Sequence, residues 1–318
     1  MDLKQIQYFV HIARLRSFNR AASHLYVAQS ALSRQIRLLE EELGVSLLVR
    51  HARGVQLTQA GQLLLERAEA LLRFSRRLRD EVVAEGAEPR GEVVIGLPPS
   101  LQHILAVPLL MEMTRRYPKI RLTTWVGTSM ILKELVDSGA VDLAVIGALD
   151  TEAGIAMQSL FRDELCLVGA VGSALPSRPA TCRQLGGLPL ILTSRPNSVR
   201  QLVEAAAAKL GVELNVIMEV NYVPLILELV RKRLGYTLLP LPAVEQMVES
   251  GELTLTRITG LSYDWAIVLP KDNPGSTGSR CVQQLLHELV KHRVALGHAR
   301  TVKPLRKSRG KRQRSPVA

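Results

Sequence analysis

Ser30, Ser33, Arg34 and Arg37 lie in the run AQSALSRQIRLLEEELG, residues 28–44, three, four and seven positions beyond the first of them. Wound as a helix, these four donors share an arc of roughly 100°, opposite a stripe of Leu32, Ile36, Leu39 and Leu43. No carboxylate joins the donor face until Glu41, and Glu40, Glu41 and Glu42 gather at the far end of the helix. A face of this kind suits a polyanion with hydrogen-bond acceptors on its edges. The amide of Gln29 pairs bidentately with adenine and Arg34 or Arg37 with guanine, each good pair giving about 1–3 kcal/mol of discrimination.

The elements before this helix are those needed to present it. Leu3, Ile6, Phe9, Val10 and Ala13 predict a first helix over about 2–15. Ser17 is an N-cap candidate for a short second helix, FNRAASHL, with Phe18, Ala21, Ala22 and Leu25 inward. Three short helices joined by tight turns make a helix-turn-helix unit, in which the last helix enters the major groove. After the C-cap candidate Gly44, VSLLVRHARGVQLT predicts a hairpin, the wing, with Arg50 and Arg53 placed for the flanking backbone or minor groove. Residues 1–58 are thus expected to be a winged helix-turn-helix DNA-binding domain.

Thr58 opens a long helix over about 59–85, and GAEPRG, residues 86–91, has hinge composition. Leu64, Ala68, Leu71, Leu72, Leu78 and Val82 recur near heptad spacing on it. A small domain cannot bury a helix of about 40 Å along its whole length. Residues 59–90 are therefore read as a linker that pairs two chains, a helix packed on its own chain being the alternative.

From Glu92 the pattern changes to short β-rich runs alternating with helices. EVVIGL, IRLTTWV and VDLAVIG are followed by LCLVGAV, PLILT, ELNVIMEV, GYTLLP, LTLTRI and YDWAIVLP. Helices are expected near 101–116, 129–138, 198–210, 223–234 and 276–296. This is an α/β region too long for one comfortable sheet and is expected to split into two lobes, about 91–161 with 269–297, and 162–268. Ser100, Thr128, Ser129, Thr193, Ser194 and Asn221 sit at strand ends before helices, where free N–H groups and the helix dipole favour a carboxylate. An ordinary N-cap is the competing reading for each of them.

Composition limits the function classes. The chain has 318 residues and a net charge of +12, concentrated at its ends. Residues 1–58 hold eight basic and four acidic side chains, residues 299–318 eight and none, and the rest 25 of each. Cationic ends favour nucleic acid, and residues 298–318 are expected to be a disordered basic tail. No run approaches the roughly 20 apolar residues of a membrane span, and the amphipathic N-terminus is unlike a signal peptide, so a cytoplasmic location with no membrane partner is expected. Cys166, Cys182 and Cys281 match no metal or redox spacing and read as small buried hydrophobes, and no metal or cofactor is expected. Phosphate-loop, dinucleotide, nucleophile-elbow and zinc-protease motifs are missing, and His103 reads as a surface residue rather than a catalytic one. A solute-binding protein and a ligand-modifying enzyme are the two competing readings. The first 85 residues argue against the former, and the missing nucleophile or metal set against the latter.

AASHLYVAQSALSRQIRLLEEELGVSLLVRHARGVQLTQAG resembles the DNA-binding signature of the LysR-type transcriptional regulators. The alanine pair, the Q-S-A-L-S-R-Q-I block, the L-E-E-E-L-G ending and the T-x-A-G helix start carry the resemblance. It extends through PPS, RRYPKIRL and GAVDLAVIG to about residue 297, nearest the branch with the nitrogen assimilation control proteins. It departs at Leu47, where the family has an aromatic, and in the basic tail. The resemblance implies a periplasmic-binding-protein-like effector domain with a small-molecule effector between two lobes; the helix starts and hydroxyls expected to line that cleft point to a small organic anion or metabolite. It further implies promoter DNA as partner, a homodimer or dimer of dimers, contact with RNA polymerase, and activation of transcription.

Overall fold

The computed structural model describes residues 1–51, 54–83, 88–148, 155–176, 179–270 and 275–295. Arg53, the first two residues of the hinge (86 and 87) and the basic tail lie outside the described residues. The chain divides into two compact units, one essentially Met1–Gly91 and the other built from Glu92 onward.

In the first unit α1 (Leu3–Leu15), α2 (Phe18–Leu25) and α3 (Gln29–Leu43) precede β1 (Leu48–His51), β2 (Gly54–Leu57) and α4 (Gln59–Val83). The starts follow local chemistry. Asp2 and Gln5 form a reciprocal capping box on α1, and the Ser17 hydroxyl accepts from the Arg20 amide on α2. Thr58 works twice, its hydroxyl accepting from Gly61 N at 3.0 Å and donating to Ser46 O at 2.7 Å. The core joins Phe9, Ile12, Phe18, Ala21, Leu32, Ile36, Leu39 and Leu47, with Leu64, Leu65, Ala68 and Leu72 of α4 packed on it. Leu43 is not in that stripe. It lies in the last turn of α3, past the helices that cover Leu39, and is 39% exposed.

The second unit has β3 (Gly91–Leu97), α5 (Val107–Arg116), β4 (Ile120–Val126), α6 (Ser129–Asp137), β5 (Leu143–Ala148) and β6 (Ile155–Ala170). Then come β7 (Ala180–Thr181), β8 (Leu190–Leu192), α7 (Ser198–Lys209), β9 (Val216–Glu219) and α8 (Val223–Arg231). β10 (Thr237–Pro240), α9 (Glu245–Glu249), β11 (Leu253–Pro270) and α10 (Thr277–Ala295) complete it. The main sheet runs β10-β6-β11-β5-β3-β4 with β7 beside β11, and β8 pairs with β9 in a separate small sheet.

Four expectations need correction. LTLTRI and YDWAIVLP are one strand, β11, paired antiparallel with β6 from Leu253–Ala170 to Pro270–Ile155. Ile258 to Leu261 leave the β6 ladder as a register break, Ile258 and Thr259 pairing with β7 instead, and Gly260 takes the positive φ of +83° there, which lets the chain rejoin the same strand. LCLVGAV is likewise the end of the 16-residue β6, which runs Ile155–Ala170 as one strand. The helix expected near 101–116 opens as 3₁₀ and π turns over Pro99–Ala106, and α8 stops at Arg231 rather than near 234.

Candidate functional site

On the first unit the donor face of α3 is open. Gln29, Ser30, Arg34 and Arg37 are exposed and Ser33 is half-buried. The hairpin strand β1 brings Arg50 to this face: its Nη2 donates to Ser33 Oγ at 2.6 Å, and its guanidinium lies 4.1 Å from the Phe18 ring centroid. Wing and helix therefore share one cationic cluster, and Phe18 fixes the arginine by cation–π contact. Arg37 faces Glu41 one turn on at 3.4 Å, an exposed pair that a phosphate can displace because such pairs contribute little in water. Glu40 has a role the sequence did not suggest. Its Oε1 accepts from Leu47 N at 2.7 Å and Leu48 N at 3.1 Å, tying α3 to the start of the wing. Ala28, the N-cap of α3, offers no side-chain acceptor, so the first amides of the helix are open to a phosphate.

The linker helix has two faces. One packs on the core; on the other Leu71, Phe74, Leu78 and Val82 are 40%, 50%, 53% and 69% exposed. At 100° per residue these four fall within about 80° of one another, a continuous uncovered apolar stripe.

In the second unit a cleft of 310 Å³ gathers strand ends and helix starts. Ser100, Thr128, Ser129, Thr193 and Asn221 all line it; Ser194 does not. The Ser194 amide instead donates to Asn221 Oδ1 at 2.9 Å, so it positions a wall residue from behind. Most of the remaining wall is apolar and includes Pro98, Val126, Leu192, Val223, Leu239 and Trp265.

Residues that sequence reasoning passed over form the floor. The Tyr263 hydroxyl is hydrogen-bonded to Ser198 Oγ and to Ser129 Oγ, and Ser129 Oγ also accepts from Gly147 N at 2.9 Å. Burial holds the Tyr263 phenol above its ordinary value, against the lowering effect of the two serines, so it is neutral and able to donate. Trp265 stands two residues on, on the same face of β11, edge-on to Tyr263 with centroids 4.9 Å apart. The signals were present: Tyr and Trp alternate in YDWAIVLP, and Asn197-Ser198 is a helix start of the same kind as Thr128-Ser129. Asn197 caps α7, its Oδ1 accepting from Val199 N and Arg200 N.

Cys166 and Cys182 are buried as expected, whereas Cys281 is only half-buried, packed at the edge of the core. His103 is exposed. Among the described residues no group of three or more His, Cys, Asp or Glu could hold a metal, and no helix is long and apolar enough to cross a membrane.

A basic winged helix-turn-helix followed by a ligand-cleft domain defines a DNA-binding regulator with a sensory module. Residues 3–62 match the model of the bacterial regulatory helix-turn-helix proteins of the lysR family, and residues 86–291 match the LysR substrate binding domain. The chain belongs to the LysR family of transcriptional regulators. It is 33% identical over 254 residues to the HTH-type transcriptional regulator BbuR of Bordetella bronchiseptica, covering 80% of this chain and 78% of that one. It is 28% identical over 293 residues to the nitrogen assimilation regulatory protein nac of Escherichia coli, covering 91% and 95%. In fold it is similar to a full-length OxyR variant of Pseudomonas aeruginosa, with a TM-score of 0.70 at 21% identity over 91% and 94% of the two chains. It is likewise similar to full-length CbnR complexed with its target DNA, with a TM-score of 0.66 at 21% identity over 92% and 99%. The chain is a transcriptional regulator with an effector-binding domain, and not an enzyme.

Proposed function

We propose that this regulator reads promoter DNA with Gln29, Ser30, Ser33, Arg34 and Arg37 of α3, while Arg50 and Arg53 hold the flanking backbone. The observation that carries the reading is the open donor face of α3, which Arg50 joins through Ser33 at 2.6 Å. Residues 1–58 form the DNA-binding domain, 59–90 the linker, 91–297 the effector domain with lobes of about 91–161 plus 269–297 and 162–268, and 298–318 a basic tail. The exposed stripe on α4 pairs two chains, and two dimers form a tetramer. In the cytoplasm the protein activates transcription through RNA polymerase. A small organic anion in the cleft, held by Ser100, Thr128, Ser129, Thr193 and Asn221 with Ser194 behind, modulates promoter binding.

A mobility-shift titration on the DNA immediately upstream of its own gene is the test. A retarded band on that duplex at a protein concentration that leaves a scrambled duplex free is expected. Equal retention of the two at every salt concentration would rule out sequence-specific reading.

A further inference from the structure

Arg200 is the one side chain carrying a full charge on the described wall of the effector cleft, and it is 7% exposed. Its three nitrogens are all engaged. Nε donates to Glu204 Oε1 at 2.5 Å, Nη1 to the Thr193 carbonyl at 3.3 Å, and Nη2 lies 3.4 Å from Glu219 Oε1. Glu204 also accepts from Arg195 at 2.8 Å. The set of two arginines and two glutamates is therefore neutral. Arg195 holds the Glu204 carboxyl below the usual carboxylate range, with Arg200 adding to the effect, so that neutrality persists at physiological pH.

What the cleft has to offer beyond this is partial charge and neutral donors. α6, α7 and α8 all begin at its edge, each helix start equivalent to about half a positive charge at most. The α7 start is already capped by Asn197. Two further wall residues carry buried polar atoms with no hydrogen-bond partner among the described residues: Thr237 Oγ1 and Trp265 Nε1. Buried polar groups are ordinarily paired, and an indole N–H can only donate, so an acceptor oxygen of a ligand is what this wall lacks. A second full negative charge would enter a mostly apolar site with no unpaired cation to meet it, which is strongly unfavourable.

We propose that the cleft selects an uncharged or singly charged, largely apolar ligand bearing an acceptor oxygen, and that Glu204 and Glu219 exclude polyanions by holding Arg200. The inference rests on the effector cleft proposed above and revises its ligand, from any small organic anion to a monoanion or an uncharged compound. Its volume, 310 Å³, lies at the small end of ligand sites and fits a compound of about one ring.

The test uses the full chain and three probes of one shape: cyclohexanecarboxamide, cyclohexanecarboxylate and trans-1,2-cyclohexanedicarboxylate, each titrated by thermal shift and calorimetry. The first two should raise the melting temperature, and Thr237→Val and Ser129→Ala should reduce both effects. The dicarboxylate should bind at least about tenfold more weakly than the monocarboxylate. Glu219→Gln, at a half-exposed position that tolerates substitution, should bring the dicarboxylate up by about tenfold and leave the carboxamide unchanged. A dicarboxylate that binds the wild type as tightly as the monocarboxylate, or a panel in which neither of the first two probes binds, overturns the ligand class. If binding is seen but neither Thr237→Val nor Ser129→Ala affects it, the cleft reading itself fails, a different result from either of those.

Discussion

The Tyr263 hydroxyl occupies the space that a β-carbon on residue 147 would need. Gly147 is therefore a glycine for reasons of packing, since its φ is not positive and its amide also donates to Ser129. Gly147→Ala should force the phenol out of its bonds with Ser129 and Ser198 and cost about 1–3 kcal/mol, the range for overpacking a filled core. Tyr263→Phe removes only the hydroxyl and should cost about 0.5–1.5 kcal/mol. Urea unfolding of the two variants gives both numbers. A Gly147→Ala variant as stable as the wild type would mean that Tyr263 does not sit where it is placed here.

The Glu204 carboxyl is held low by Arg195 and Arg200, and this fixes a sign for pH dependence. A carboxylate with a depressed folded value stabilises the fold above its unfolded value, near 4.5, and loses that contribution as pH falls below it. Glu204→Gln should therefore destabilise the effector unit at neutral pH and make its melting temperature fall less steeply between neutrality and acid. Melting curves across that range check it; parallel pH profiles for wild type and variant would contradict it.

Cysteine reactivity should follow burial. Burial, with Asp163 beside it, pushes the Cys166 thiol up to about 12, and burial raises Cys182 as well. The thiolate is the reactive form, so Cys166 should stay unmodified by a disulfide reagent at pH 8 while the chain is folded. Half-buried Cys281 should react first. Mass spectrometry of partly labelled protein reads the order directly, and early labelling of Cys166 would show that the β6 core opens readily.

Leu71→Asp with Leu78→Asp should split the assembly, because both side chains are on the exposed stripe of α4 and not in the core of their own domain. Sedimentation velocity is the measurement, with circular dichroism to show that the helices remain. An unchanged oligomer would remove the linker helix from that role.

The DNA-binding unit was legible almost residue by residue, because each of its helices is short, periodic and locally capped. Ser17, Thr58 and Gly44 mark ends that the folded chain keeps. Less legible was whatever depends on distant pairing. Nothing local says that TGLS continues β11 rather than ending it, since that follows from β6 lying alongside. The same limit hid the cleft floor. Tyr263 and Ser129 are 134 positions apart, and only the sheet that joins β11 to β5 makes them neighbours. In the sequence Glu40 reads as part of an acidic helix end, because its partners, the amides of Leu47 and Leu48, carry no side-chain signal.

Whether α3 reads sequence is decided by the ratio of affinities for an operator and a scrambled duplex. Titrations should be run at several salt concentrations on the wild type, on Arg34→Ala and on a chain truncated after residue 298. Phosphate contacts contribute a slope of about −0.9 each to the logarithmic salt dependence, whereas base contacts set the ratio. Arg34→Ala should collapse the ratio toward one while changing the slope little. Truncation should weaken both duplexes alike and flatten the slope. An operator preference that survives Arg34→Ala, or one lost with the tail, would contradict the account.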